Sequence, residues 1–213
     1  ATASFDDGDS DGSGGTFDQL IGARSITTVV IGANTYALVA SDDDNGVQII
    51  DITTPGSPTA TASFEDGDSD GSGGTFDELN GARGITTVVI GANTYALVAA
   101  SNDNGVQIID ITTPGSPTAT ASFDDGDSDG SGGTFDELNG AYSITTVVIG
   151  SNIYAVVASF SDDGVQIIEL DVVTADSTTK KNSSDCYDCE PPKLQKAQIQ
   201  ISSDEKIIAT DDE

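Results

Sequence analysis

Ser25-Ile-Thr-Thr-Val-Val-Ile31, Thr35-Tyr-Ala-Leu-Val-Ala-Ser41 and Gly46-Val-Gln-Ile-Ile-Asp-Ile-Thr53 are three β-branched runs parted by short polar segments. Ile31-Gly-Ala-Asn34 divides the first from the second, and Asp44-Asn45-Gly46 leads into the third. Asn-Gly tolerates the positive φ of a tight hairpin turn, so consecutive runs are expected to be antiparallel neighbours. Thr53-Thr-Pro-Gly-Ser-Pro58 then ends the pairing, because proline cannot donate to a ladder. Helix signals are absent.

Outward from this stretch the pattern returns at a fixed offset. Ala1-Thr-Ala-Ser-Phe5 recurs as Ala60–Phe64 and Ala119–Phe123, a period of 59 residues without insertions. The chain divides into repeats at 1–59, 60–118 and 119–173 and a tail at 174–213 of different composition. With Ala1–Phe5 as a fourth run per copy, the expected fold is all-β. It has three tandem four-stranded antiparallel units resembling propeller blades, plus a tail with short strands.

Tyr36-Ala-Leu-Val-Ala40 followed by Gly46-Val-Gln-Ile-Ile-Asp-Ile-Thr-Thr-Pro55 resembles the LVIVD repeat, and all three copies carry it, with Glu169 where the others have Asp51 and Asp110. The resemblance implies a β-propeller of surface or secreted proteins and no particular reaction. Three blades are fewer than the roughly four to eight that close a propeller. If Ala1–Phe5 is the outer strand of a blade whose other strands lie upstream, it has no blade to join here, while Ser143–Leu170 lacks an outer strand. These ends are complementary, so the expected partner is a second copy, added head to tail by strand complementation into a filament or other assembly. The alternative is a monomer in which Ala197–Ser202 and Lys206–Thr210 build a fourth blade.

Asp and Glu number 36 against 7 Lys and Arg, for a formal charge of −29. Such a surface repels nucleic acid and anionic membranes and favours cations. Disorder is set aside for 1–173 because apolar residues make up 36% of the chain and fall in β-branched runs. No apolar run reaches the roughly 18 to 20 residues of a membrane span, so no membrane insertion is expected. Ala1 falls on a repeat boundary, as signal-peptide removal or trimming of a longer chain would leave it, and an extracellular or cell-surface location is expected. There is no His, Met or Trp. Without the commonest general base, no enzyme is expected and no catalytic residue is nominated.

Cation chemistry is read from Asp7-Gly-Asp9-Ser-Asp11-Gly-Ser13-Gly-Gly-Thr-Phe-Asp18. Counted from Asp7, it has the EF-hand loop spacing: acids at positions 1, 3 and 5, glycine at 6, a carbonyl ligand at 7 and an acid at 12. The candidate calcium ligands are Asp7, Asp9, Asp11, Ser13 and Asp18. The second copy repeats them as Asp66, Asp68, Asp70, Ser72 and Asp77, and the third as Asp125, Asp127, Asp129, Ser131 and Asp136. Alternating Asp on a tight turn aims short carboxylates at one point, and calcium accepts six to eight oxygens where magnesium demands a small octahedron. About one calcium per repeat is expected, ordering a long loop otherwise without secondary structure.

The remaining candidates are weaker. Asp42-Asp-Asp-Asn45 is read as a turn, Asp51, Asp110 and Glu169 as local ladder caps, and Arg24 and Arg83 as partners for nearby acids, with Tyr142 at that place in the third copy. Cys186-Tyr-Asp-Cys189 is expected to be a local disulfide, the other readings being a redox thiol pair or half of a zinc site. Asn182-Ser-Ser is a glycosylation sequon. The chain is therefore expected to be a calcium-stabilised, self-associating structural protein outside the cell. The runner-up is a surface adhesin for a glycan or protein ligand.

Overall fold

The computed structural model describes residues 1–129, 133–172 and 199–202. It contains strands and no helix among them: β1 Ala23–Ile31, β2 Asn34–Ser41, β3 Gly46–Asp51, β4 Thr59–Glu65, β5 Ala82–Ile90, β6 Asn93–Ala100, β7 Gly105–Asp110, β8 Thr118–Asp124, β9 Ala141–Ile149, β10 Asn152–Ser159, β11 Gly164–Val172 and β12 Ile199–Ser202. They form three four-stranded antiparallel sheets in the orders β1-β2-β3-β4, β5-β6-β7-β8 and β9-β10-β11-β12.

The turns obey the chemistry of their residues. Asn45, Asn104 and Asp163, each before the glycine that opens the next strand, adopt φ of 56°, 60° and 53°. Asn and Asp reach this left-handed region at lower cost than other side-chain-bearing residues. Each Ala-Thr-Ala-Ser-Phe segment completes the blade upstream of it, as Val47↔Phe64 and Val106↔Phe123 show. Ala1–Phe5 is not a strand.

The third sheet differs from the fourth-blade alternative. Ile199–Ser202 pairs with β11 as the outer strand of the third sheet, with Glu169↔Ser202 and Val172↔Ile199. The cause lies in β11, which continues to Val172 because Asp171-Val-Val173 stands in the sequence where the other copies have Thr-Thr-Pro. Lys206–Thr210, Cys186, Cys189, Asn182 and Ser131 lie outside the described residues.

Sheets stack face to face with β1, β5 and β9 adjacent at one side. The first seam buries Tyr36, Leu38, Val47 and Ile49 of one sheet against Phe76, Leu79, Ile85, Val98 and Ile109 of the next. The second buries the matching Tyr95, Leu97, Val106 and Ile108 against Phe135, Leu138, Ile144 and Val157. One interface is thus used twice, and each fully buried Leu, Ile or Val contributes about 1.5–3 kcal/mol.

Candidate functional site

The second and third Asp/Gly loops fill these seams, the first packs on the outer face of the first sheet, and the loops are not structureless. Gly8 N donates to Phe17 O and Phe17 N to Asp9 O at 2.7 and 3.0 Å, closing a small hairpin bridged at Ser10 and Thr16. Phe17, Phe76 and Phe135 are buried, and the first two stack on Phe5 and Phe64 with ring centroids 4.2 and 4.4 Å apart. Behind each loop sits a glutamine. Gln48, fully buried, accepts from Asp18 N at 2.9 Å and donates to Ala62 O at 2.9 Å, and Gln107 does the same from Asp77 N to Ala121 O. Hydrogen bonds and a buried ring therefore give the loop its order.

The predicted ligands are spread around this hairpin. Asp11 accepts from Ser13 N, Gly15 N, Ser13 Oγ and, across to β4, Ala60 N, at 2.7–3.1 Å. These donors hold its carboxyl below the ordinary range, the Ser13 amide first among them. Asp70 is engaged in the same way by Ser72 and Gly74, and Asp129 accepts from Gly133 N. Asp9, Asp68 and Asp127 accept from the amides of Asp6, Glu65 and Asp124. Asp7, Asp66 and Asp125 turn to the amides of Leu20, Leu79 and Leu138. Asp136 accepts from Thr134 Oγ1, while Asp18 and Asp77 contribute their backbone amides to the glutamines. Among the described residues no three acidic side chains already stand as a metal-holding group.

Beside the second loop the acids do gather in pairs. Glu78, 7% exposed, follows the last residue of the motif, and its Oε2 lies against Gly105 where any Cβ would stand. That oxygen has no hydrogen-bond partner, and neither has Gln19 Oε1 at the same place in the first copy. Burial first, then the neighbouring Asp124 carboxyl and the charges of Asp103 and Asp66, push the Glu78 carboxyl up to about 9. Asp103, which accepts from Asn80 N at 2.7 Å, is pushed up to about 6, chiefly by burial, with Asp66 beside it. Burial likewise raises Asp44 in the first copy. Sequence reading missed Glu78 and Asp124 because neither belongs to the Asp-x-Asp-x-Asp-Gly motif; the signal was Gln19, Glu78 and Glu137 recurring one residue beyond it.

Asp42 is not a turn residue alone. It is 7% exposed and pairs with Arg24 at 2.9 Å and Arg83 at 3.2 Å, and Arg83 lies over the Tyr142 ring, linking the three inner strands. Asp51 accepts from Thr53 N and Asn34 Nδ2, and Asp110 from Thr112 N and Asn93 Nδ2, the local capping that the sequence suggested.

At one end of the stack half of the repeated seam is uncovered, while at the other Phe17, Val39 and Ile50 stay buried beneath the first loop and Ile26 is exposed. Val165 and Ile167 on β11 are 57% and 49% exposed, where Val47 and Ile49 are fully buried. On the opposite end Ile26 is 65% exposed, against 5% for its counterpart Ile85.

Residues 29–66 and 87–125 match the LVIVD repeat. The chain carries LVIVD repeats. Each matched segment runs from the first strand of a sheet through the outer strand, so one LVIVD repeat corresponds to most of one blade. No curated protein matches the chain. Among solved structures it is similar to the crystal structure of a functionally unknown protein from Desulfotomaculum acetoxidans DSM 771, at 18% identity and a TM-score of 0.46. That match covers 70% of this chain and 38% of the other.

Proposed function

We propose that this LVIVD-repeat chain is an extracellular structural protein that associates head to tail, with calcium stiffening the loops between its blades. The observation that carries the reading is the uncovered seam half at one end, Val165 and Ile167, with Ile26 exposed at the other, on the two sides of the interface already used twice inside the chain. The backbone supports it as well. Among the described residues, 164–168 of β11 have no partner on the edge where β3 and β7 receive Ala-Thr-Ala-Ser-Phe strands, and Ala1–Phe5 is such a segment without a sheet. Transferring the β3–β4 register places Phe5 of the next copy opposite Val165 and Ala3 opposite Ile167. A heterologous contact of this kind propagates unless the rotation closes.

Calcium at the loops is carried by the three in-register motifs and by the formal charge of −29, which a bound cation offsets. Asp11 already has its oxygens engaged by loop donors, so ion binding there requires the loop to exchange those bonds. The test is size-exclusion chromatography with light scattering, in calcium and in chelator. Wild type should grow with concentration and with calcium, and Val165→Asp with Ile167→Asp should stay monomeric. A wild-type chain that remains monomeric at every concentration in calcium overturns the reading.

A further inference from the structure

We propose that the junction between two copies has a chemistry of its own: the β10–β11 hairpin docks on residues 21–24 of the next copy, with Phe160 against Arg24 and Asp163 capping Gly22 N. The proposal rests on the head-to-tail reading and names the contacts that select this junction. Inside the chain, the corresponding hairpins reach forward to the next blade. Asn45 Oδ1 accepts from Gly81 N and Asn104 Oδ1 from Gly140 N, both at 2.9 Å. Their carbonyls accept as well, Asn45 O from Asp66 N at 2.9 Å and Asn104 O from Asp125 N at 3.0 Å. One left-handed residue per hairpin thus clamps two amides of the following repeat.

The third hairpin has the same shape and an empty clamp. Asp163 keeps the left-handed φ, at 53°, and Phe160 N donates to Gly140 O as Asp42 N does to Gly22 O and Ser101 N to Gly81 O. Among the described residues the exposed Asp163 accepts no hydrogen bond, and at the start of the chain Gly22 N and Asp7 N make none. Those two amides are the counterparts of the ones that Asn45 and Asn104 hold. Carried one repeat further, the clamp sets Gly22 N of the next copy at the Asp163 carboxylate and its Asp7 N at Asp163 O. This agrees with the strand register that places Phe5 of that copy opposite Val165.

Two residues at this junction break the repeat, one on each side, and both are apolar. Phe160, 77% exposed, stands where the first copy has the buried Asp42 and the second has Ser101. Ile21, 51% exposed, stands where the others have Asn80 and Asn139, beside the glycine that the clamp holds. At the first seam Asp42 receives Arg83 of the next blade at 3.2 Å. The residue that stands to Phe160 as Arg83 does to Asp42 is Arg24 of the next copy, whose side chain is half exposed. A guanidinium serves a carboxylate and a ring together, for Arg83 pairs with Asp42 while lying 5.1 Å from the Tyr142 ring centroid. Arg24 of the next copy likewise keeps its own Asp42 and turns its open face to Phe160.

Sedimentation equilibrium of the full chain in calcium measures the dissociation constant of the junction. Phe160→Ser, which installs the residue of the second copy, should weaken association about tenfold. Asp163→Gly, which suits the positive φ and removes the acceptor, should weaken it by about as much. Asp163→Asn, the residue of the first two copies, should keep most of the affinity, since an amide oxygen also caps the glycine. Phe160→Ser joined with Arg24→Gln should lose no more than the worse of the two alone, because both remove one contact. Circular dichroism checks that each variant is folded. Wild-type affinity in folded Phe160→Ser or Asp163→Gly, or additive losses in the double variant, overturns the proposal and leaves the head-to-tail reading standing. A wild-type chain that stays monomeric at every concentration overturns that reading and the junction with it.

Discussion

Single side chains set the electrostatic character of this chain. Glu78 is held protonated by burial and by acid neighbours on three other segments, Asp66, Asp103 and Asp124. Its folded pKa of about 9 lies above the ordinary 4.5, so between those values the native chain binds more protons than the unfolded one. Stability from this group is full below pH 4.5 and falls as pH rises towards about 9, and Asp103 adds the same trend between 3.8 and about 6. In chelator, chemical denaturation should therefore show wild type losing stability from pH 5 to 8. Glu78→Gln should flatten that slope, and an equally steep one in the variant would count against the buried acid. The reverse contribution of Asp11 and Asp51, whose carboxyls are lowered, is small because both are solvent-facing. Sequence alone could tell that Arg24 and Arg83 meet acids. That both meet Asp42 depends on two blades coming together, which no local pattern encodes.

At the scale of the element, the loop behaves as a plug. Phe76 is buried between blades and stacks on Phe64, so Phe76→Ala should cost about 3–5 kcal/mol. Limited proteolysis should then cut first within residues 65–81, and an unchanged cleavage pattern would argue against the aromatic anchor. The hairpins were legible from the outset, because period-2 runs and Asn-Gly turns are local signals, and so was the outer strand's membership of the upstream blade. The loop's order was not. Its anchors, Phe76 and Gln107, read as ordinary loop and strand residues until the fold buries the ring and sets Gln107 Oε1 3.0 Å from Asp77 N. The outer strand of the third sheet was also hidden, since Ile199-Gln-Ile-Ser202 shares no pattern with Ala-Thr-Ala-Ser-Phe.

For the whole molecule, a formal charge of −29 opposes compaction, and the packed seams oppose the charge. Exposed like charges beyond about 10 Å are largely screened at 0.1 M salt, so raising sodium chloride from a few millimolar should raise the Tm of the chelated chain. The increase should level off once the surface charge is screened, and a Tm that falls with salt would mean attractive pairs such as Arg83–Asp42 outweigh the repulsion. Because the downstream face of each blade fits the upstream face of the next, length is not a quantity that this fold has to determine. A gene gaining or losing one 59-residue unit changes the number of seams without requiring a new kind of contact, so duplication and recombination can adjust the reach of such proteins at little structural risk.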